Sequence, residues 1–337
     1  MTTPAGANEA VLSQAARLRR AWAGNTAVWA RLQNGGILFP FLALFLTLSL
    51  TSSSFATKTN LLNILDQQSA TLLIAAAGTL VVVAGGIDLS VGATYTLGGV
   101  TAAHFAQTEN PALSIFLGIG IGLLVGAANG LVVTALRINS LIATLASFFV
   151  VGGLASLVSG GNLITLFDRP GFGKLAQSEF LTVRTSIWLA LGVTAVLAAC
   201  LAWTTAGRYM YAAGGNADAA RLAGVRVDAV RVLTFVLSGT AASLAGVVDA
   251  SRVLSAQSTG GDVNLTFTVV AAIVVGGTSI AGGEGAVWRT VVGVLFIALI
   301  GNGYLLLQFN SIYESITTGV ILILAVALDS WSRVRRR

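Results

Sequence analysis

One polar segment of this chain is hard to reconcile with its apolar surroundings. It runs from Gly85 to Gly92 with the sequence Gly-Gly-Ile-Asp-Leu-Ser-Val-Gly, between the apolar run 72–84 and the weakly charged run 93–106. Hydrocarbon tolerates neither an unpaired carboxylate nor an unpaired backbone group, so Asp88 predicts a broken helix inside protein or beside water. In transporters, such breaks are places where solutes bind.

Asp88 has two interpretations. It can cap a helix that restarts at Leu89 or Ser90 by accepting backbone N–H bonds, or it can bind a substrate hydroxyl or a proton. The glycines of the segment let the chain turn and let backbones approach each other: Gly85, Gly86 and Gly92. We prefer the capping role and expect the segment to shape a substrate path.

Two asparagines, Asn129 and Asn302, lie in apolar runs, and each precedes a glycine. Their amides are candidates for contacts between helices or with a solute on its path. The first is followed by Arg137-Ile-Asn-Ser-Leu141 and the second by Gln308-Phe-Asn-Ser-Ile312. In the span assignment below these copies lie five spans apart. An odd offset reverses direction across a membrane, which predicts an inverted repeat.

The loop 205–230 is a third candidate. Asn216 suits the N-cap of a short helix and Gly224 suits its C-terminal cap. A helix of two turns is not stable alone, and this one offers a face of small residues, which favours docking to another protein. The alternative is an ordinary ordered loop. The docking candidates are Gly215, Asn216, Ala219, Ala220, Arg221, Ala223 and Gly224.

Composition places these candidates in a membrane. Of 337 residues, 55% are hydrophobic and only 9% are charged, whereas a soluble domain carries about 25% charged residues. One cysteine and one histidine leave no disulfide within the chain and no metal cluster. The sequence contains no phosphate-binding Gly-x-x-x-x-Gly-Lys-Ser/Thr motif and no catalytic constellation. We therefore expect neither an enzyme nor a cofactor in this chain, and no nucleic-acid partner.

Hydropathy predicts an all-α polytopic protein with ten transmembrane helices and broken helices. Basic residues cluster before the first span, in the 205–230 loop and after the last span, which places both termini in the cytoplasm. The predicted units are a tail 1–35, a transmembrane domain 36–329 and a basic tail 330–337. Residues 55–68 are expected to form an external interfacial helix, and 160–186 the longest external connection. The predicted spans are 36–54, 69–86, 90–106, 112–135, 139–159, 187–204, 231–252, 265–282, 287–307 and 311–329.

Three motifs together resemble the membrane permease subunit of bacterial ABC sugar importers of the ribose, xylose, arabinose and galactose class. They are the segment 85–92, the loop motif 215–225 and the run Val-Val-Gly-Gly-Thr-Ser-Ile-Ala-Gly-Gly at 274–283. The resemblance covers about 55–329. It implies a multi-pass protein of the bacterial inner membrane, paired with a second permease copy or a paralogue. It also implies a cytoplasmic ATPase that holds ATP and Mg²⁺ and docks at 205–230, and a periplasmic sugar-binding protein.

The chain departs from this family pattern at three places. Many relatives have Asn-Pro where this chain has Asn139-Ser140, an acidic residue near Thr266-Phe267-Thr268, and arginine at the position of Glu284. The solute therefore stays open: a pentose or hexose is expected, and a sugar alcohol, a nucleoside or a furanone signal is the alternative. An ion-coupled transporter that uses Asp88 or Asp249 as proton carrier is a further alternative.

Overall fold

The computed structural model describes residues 36–258, 263–310 and 312–334. Within these ranges the chain is almost entirely helical, with four two-residue strands. The predicted N-terminal tail 1–35 and the last three residues of the predicted basic tail lie outside the described residues. The cytoplasmic placement of both termini therefore stays a prediction.

Fourteen helices make up the described part of the chain. Their bounds are α1 Leu38–Thr51, α2 Lys58–Gln67, α3 Ser69–Val83, α4 Val91–Ala106, α5 Pro111–Ala135, α6 Ser140–Ser159, α7 Pro170–Gln177, α8 Thr185–Trp203, α9 Thr205–Gly215, α10 Ala217–Leu222, α11 Val227–Val253, α12 Val263–Val275, α13 Val287–Leu306 and α14 Ile312–Val334. The strands form two antiparallel pairs: β1 Ile164–Thr165 with β4 Ser255–Ala256, and β2 Glu179–Phe180 with β3 Val183–Arg184.

Each of the ten predicted spans falls on one of these helices. Five helices, namely α5, α6, α8, α11 and α13, are long and apolar enough to cross a membrane by themselves. A sixth span results if α2 and α3, which meet at an angle of 51°, are counted as one broken unit. The protein is thus helical with five or six clear spans in its described part, and the number ten stays a prediction.

One boundary differs from the prediction, and one segment is more buried than expected. Span eight was expected to reach residue 282, but α12 ends at Val275, because Gly277 takes a left-handed φ of +80° and closes the helix. Residues 55–68 were expected to form an external interfacial helix. Helix α2 occupies most of this segment and meets α3 at the 51° bend, with Ile64 and Asp66 buried, and its place at a membrane surface stays a prediction. The Asp66 carboxylate binds Nη1 of Arg184 at 2.8 Å, which explains its burial.

Helix α3 forms the centre of the fold. All fifteen of its residues are buried, and it packs against α8, α11, α12 and α13. A helix that is apolar on every side can be buried on every side, and the segment Ser69–Val83 has no charged residue. The predicted break at Gly85 therefore lies at the end of a helix that is buried along its whole length.

Glycine lets α5 and α11 pack at backbone contact distance. A Cβ atom added at Gly122 would lie 2.2 Å from the carbonyl oxygen of Gly239, and one at Gly126 would lie 2.3 Å from that of Phe235. Only glycine fits at such separations. The pair α5 and α11 thus forms a close-packed support beside α4, as small residues do in membrane helix pairs.

The two connections that suggested a repeat have the same backbone geometry. Arg137 and Gln308 both take a left-handed φ of 57°. Two residues later, Asn139 and Asn310 each accept a 2.9 Å hydrogen bond from the backbone N–H two positions further on. The sequence similarity between α5–α6 and α13–α14 is therefore matched by local structure.

Candidate functional site

The segment Gly85–Gly92 breaks the chain between α3 and α4. Helix α3 ends in a Schellman motif, in which the N–H of Gly85 binds the carbonyl of Val82 and that of Gly86 binds Val81, at 2.9 and 3.0 Å. Gly85 has a φ of +81°, as this motif requires. The next helix begins at Val91, one or two residues later than predicted, so the residues between the two helices lack helical hydrogen bonds.

Side chains from other helices bind the backbone of the break. The N–H of Ile87 donates to Oγ of Ser140 at 3.1 Å, and the N–H of Leu89 donates to Oγ1 of Thr144 at 3.0 Å. The N–H of Gly92 donates to Oγ1 of Thr266 at 3.2 Å. These hydroxyls accept hydrogen bonds from backbone N–H groups that water would accept outside a membrane. The sequence alone did not predict that these hydroxyls bind the break. The signal that could have indicated it was a hydroxyl residue within an apolar span.

Asp88 lies inside this break and is only 7% exposed. Its Oδ1 accepts hydrogen bonds from the N–H and the hydroxyl of Ser90, at 3.0 and 2.6 Å. Its Oδ2 accepts a 2.8 Å bond from the hydroxyl of Ser238 on α11. The carboxylate thus ties the start of α4 to α11. This geometry suits the structural role, and the roles of Asp88, Ser90 and the glycines in a substrate path stay predictions.

The two asparagines have different surroundings. Asn129 is buried, and its amide donates to Oγ of Ser90 at 2.8 Å, so it belongs to the break. Asn302 lies far away on α13, where it exchanges two hydrogen bonds with Asn60 of α2 at 3.1 and 3.0 Å. The structure therefore places one candidate of the predicted path at the break and the other at a separate polar region.

Helix α10 has the ends that its sequence predicts. Oδ1 of Asn216 accepts from the N–H groups of Asp218 and Ala219 at 3.1 and 3.0 Å, which is an N-cap. At the other end, Gly224 has a φ of +85°, and the N–H of Val225 binds the carbonyl of Ala220 at 3.0 Å. This is again a Schellman motif. The six-residue helix is thus fixed at both ends.

The exposed face of α10 differs from the predicted one. Ala220 is 6% exposed and packs inward, so it is not available to a partner. Ala219 is exposed, and Leu222, which the sequence did not single out, is 92% exposed. Arg221 bridges Asp218 and Asp228, with 3.2 Å to each carboxylate. The face therefore presents a protruding leucine beside an arginine that is already paired.

The three motifs meet at one point, which we call the glycine junction: Gly85, Gly214, Gly215, Gly282 and Gly283. The N–H of Gly283 donates to the carbonyl of Val83 at 2.9 Å, at the end of α3. A Cβ added at Gly214 would lie 1.9 Å from that same carbonyl oxygen, and one at Gly282 would lie 2.8 Å from Cα of Gly85. The loop 205–230, the break and the turn between α12 and α13 are therefore in direct backbone contact.

Tyr211 of α9 adds a side-chain bond to this contact. Its hydroxyl donates to the carbonyl of Gly285 at 2.8 Å, and burial raises the pKa of the phenol, which keeps this donor protonated.

Arg252 binds Asp249 at 2.6 Å, which confirms the predicted pair, and Tyr95 donates to the other oxygen of Asp249 at 2.6 Å. In the described residues no group of His, Cys, Asp and Glu side chains could hold a metal ion.

Curated relatives resemble the chain over most of its length. It is 36% identical to the ribose import permease protein of Escherichia coli (strain K12), over 90% of this chain and 95% of that protein. It is 38% identical to the ribose import permease protein of Bacillus subtilis (strain 168), over 87% and 92%. It is 36% identical to the L-arabinose ABC transporter permease protein of Azospirillum brasilense, over 92% and 91%. No solved structure matches the chain significantly.

A family profile matches residues 60–326, a range that includes the break, the glycine junction and α10. A permease component moves a solute across a membrane and carries out no chemical conversion. The description of the family profile, like the names of the relatives above, is that of a permease. The chain thus belongs to the family of the branched-chain amino acid transport system / permease component.

Proposed function

We propose that this chain is the translocation subunit of an ATP-driven importer for a monosaccharide, a pentose or a hexose, in the bacterial inner membrane. The observation that carries the proposal is the similarity to ribose and arabinose permeases over nearly the whole of both chains. The family description names branched-chain amino acids instead, so the class of solute depends on these relatives and on the sequence motifs.

The proposed assembly contains a second permease copy or a paralogue, a cytoplasmic ATPase and a periplasmic sugar-binding protein. ATP and Mg²⁺ bind in the ATPase, and this chain holds no cofactor. In the proposed topology of ten spans, both termini and α10 lie in the cytoplasm. The matching geometry at Arg137 and Gln308 supports an inverted repeat, because it recurs five spans apart.

Helix α10 is the proposed docking element for the ATPase. Leu222 and Ala219 form its exposed contact face, while Asn216 and Gly224 hold the helix in shape and Arg221 fixes it to the start of α11. Leu222, the last residue of the helix, offers exposed apolar area that a partner can bury. Gly215 connects this element to the glycine junction.

Movement of the ATPase then reaches the break mainly through backbone contacts, which the hydrogen bond from Tyr211 to Gly285 supplements. Glycine backbones that touch cannot absorb a displacement by changing side-chain rotamers. A shift of the loop 205–230 therefore displaces the end of α3 and the turn before α13 together. Asp88, Ser90 and Asn129 hold the break on the other side, so the break acts as the hinge of the path.

The test is ATP-dependent uptake by the complex reconstituted with its ATPase and binding protein. D-Ribose and L-arabinose should enter vesicles in the presence of ATP, and uptake should stop when ATP is removed while the ion gradient is kept. Uptake that continues without ATP would mean a secondary transporter with Asp88 or Asp249 as proton carrier. Uptake of a sugar alcohol, a nucleoside or a furanone alone would change the solute and keep the mechanism.

A further inference from the structure

A polar cavity of about 430 Å³ opens between α2, α12, α13 and α14. Its size is in the range that small-molecule sites occupy, about 300–1,000 Å³. It lies at the end of α13 opposite to the glycine junction, because Asn302 and Tyr304 line it. In the proposed ten-span topology this is the external side, where a solute would enter.

Carboxamides dominate the polar lining of this cavity. Five of them come from α2, its C-cap and α13: Asn60, Asn63, Gln67, Gln68 and Asn302. A carboxamide both donates and accepts hydrogen bonds, as a sugar hydroxyl does, so the two groups can bind each other in either direction. Tyr304, Phe309 and Ile297 add apolar surface. Such a lining suits a ring that has polar edges and apolar faces.

The charges around the cavity disfavour an anionic solute group. Glu314 is its one ionisable acid, and no lysine, arginine or histidine is among the lining residues in the described part of the chain. A solute carboxylate would have no cation to pair with and would be repelled by the carboxylate of Glu314. A neutral polyol would instead donate hydroxyl hydrogens to that carboxylate. Glu314 is packed against Gly301, where an added Cβ would lie 2.6 Å from Oε1 of Glu314.

Part of the lining is held in place before any solute arrives. The reciprocal bonds between Asn60 and Asn302 fix α2 to α13, and Asn60 also donates to the carbonyl of Phe55 at 2.9 Å. Asn63 and Gln67, by contrast, are exposed. The cavity thus combines a rigid wall with amides that are accessible to a ligand, an arrangement that reduces the entropy lost on binding.

We propose that this cavity is the external solute site of the permease and that its ligand is a neutral polyhydroxylated molecule of monosaccharide size. The inference rests on the proposed function, because it assumes that α2 and the end of α13 face the side from which the solute arrives. An amino acid, the solute class in the family description, would leave its carboxylate without a cation among the described lining residues of this cavity.

Protection from chemical labelling tests the site without transport. The protein contains one cysteine, Cys200 on α8, which is replaced by serine. Asn63→Cys in this background places a thiol in the cavity, and Gln107→Cys places a matched exposed thiol at the end of α4. The assembled complex in vesicles is treated with a membrane-impermeant maleimide, with D-ribose, L-arabinose or L-leucine at equal, saturating concentration.

A sugar should slow the labelling of position 63 at least fivefold and leave position 107 unchanged, and L-leucine should protect neither. Equal labelling of Asn63→Cys with and without sugar, or protection by L-leucine alone, would overturn the proposal. If Asn63→Cys does not assemble, Gln67→Cys is the second variant and carries the same expectation. Protection without ATP-driven uptake would refute the proposed function and keep the cavity, whereas ATP-driven uptake without protection would refute the cavity alone.

A functional measurement completes the test. Asn63→Ala and Gln67→Ala together should lower the rate of ATP-driven D-ribose uptake about 25-fold, since each lost hydrogen bond reduces binding about fivefold. Gln107→Ala should not change it. Uptake at the wild-type rate by the double variant would contradict direct contact between these amides and the solute.

Discussion

The glycine junction makes a prediction that the structure can quantify. Replacing Gly282 with alanine adds a Cβ atom 2.8 Å from Cα of Gly85, closer than unstrained packing allows. The neighbour is backbone and cannot rotate away. Gly224 offers a matched control, because its φ of +85° is almost the same as the +86° of Gly282, but an added Cβ there would meet nothing within 4 Å.

The two substitutions separate backbone strain from contact. A left-handed conformation costs alanine roughly 1–2 kcal/mol, and this cost applies to both positions. Forcing an extra methyl group into a packed site costs about 1–3 kcal/mol more, and this cost applies only to Gly282. We therefore expect Gly282→Ala to destabilise the protein by about 2–5 kcal/mol and Gly224→Ala by about 1–2 kcal/mol.

Unfolding of the purified variants in detergent measures this difference. The midpoint of thermal unfolding should fall clearly further for Gly282→Ala than for Gly224→Ala, relative to the unmodified protein. Equal midpoints for the two variants would show that the chain segments at the junction are not in contact, and the proposed route from α10 to the break would then lack its physical basis.

Three further predictions concern α10 and the break. Leu222→Asp should abolish capture of the ATPase without lowering the yield of folded permease, whereas Leu181→Asp, at another exposed leucine in the β2–β3 turn, should leave capture unchanged; unaltered capture by Leu222→Asp would count against docking at α10. Asp88→Ala should destabilise the fold by about 2–4 kcal/mol, because buried donors lose their acceptor, and reduce the monodisperse yield; a normal yield with no transport would instead indicate a solute or proton role. Ser140→Ala should cost about 1–2 kcal/mol in the free energy of unfolding by leaving the N–H of Ile87 unpaired, and an unchanged unfolding midpoint would oppose this bond.

Sequence reasoning predicted the local features that depend on near neighbours. The N-cap at Asn216, the glycine end at Gly224 and the pair of Asp249 with Arg252 are all present, because each involves residues within one or two turns of helix. The break at 85–92 was predicted for the same reason: the incompatibility of Asp88 with lipid can be recognised without knowledge of the fold.

Contacts between distant segments were not predictable in this way. The Ser140 hydroxyl lies 53 residues from the backbone it binds, and Thr266 lies 174 residues from Gly92. Both positions are among those where we expected a departure from the family pattern. Leu222 was missed because an exposed leucine differs from a buried one only in the folded protein.

Helix α13 connects the two regions on which the mechanism depends. It begins at Val287, four residues after Gly283 of the glycine junction, and carries Asn302 and Tyr304 into the cavity near its other end. Its twenty residues extend about 30 Å, so a tilt of about 5° around the junction would move the far end by about 2.6 Å. Gly293 packs α13 tightly against α12, where an added Cβ would lie 2.2 Å from a carbonyl oxygen, so the pair tilts as one body. A small displacement of α10 by the ATPase would therefore be sufficient to break the contacts of a solute with the cavity.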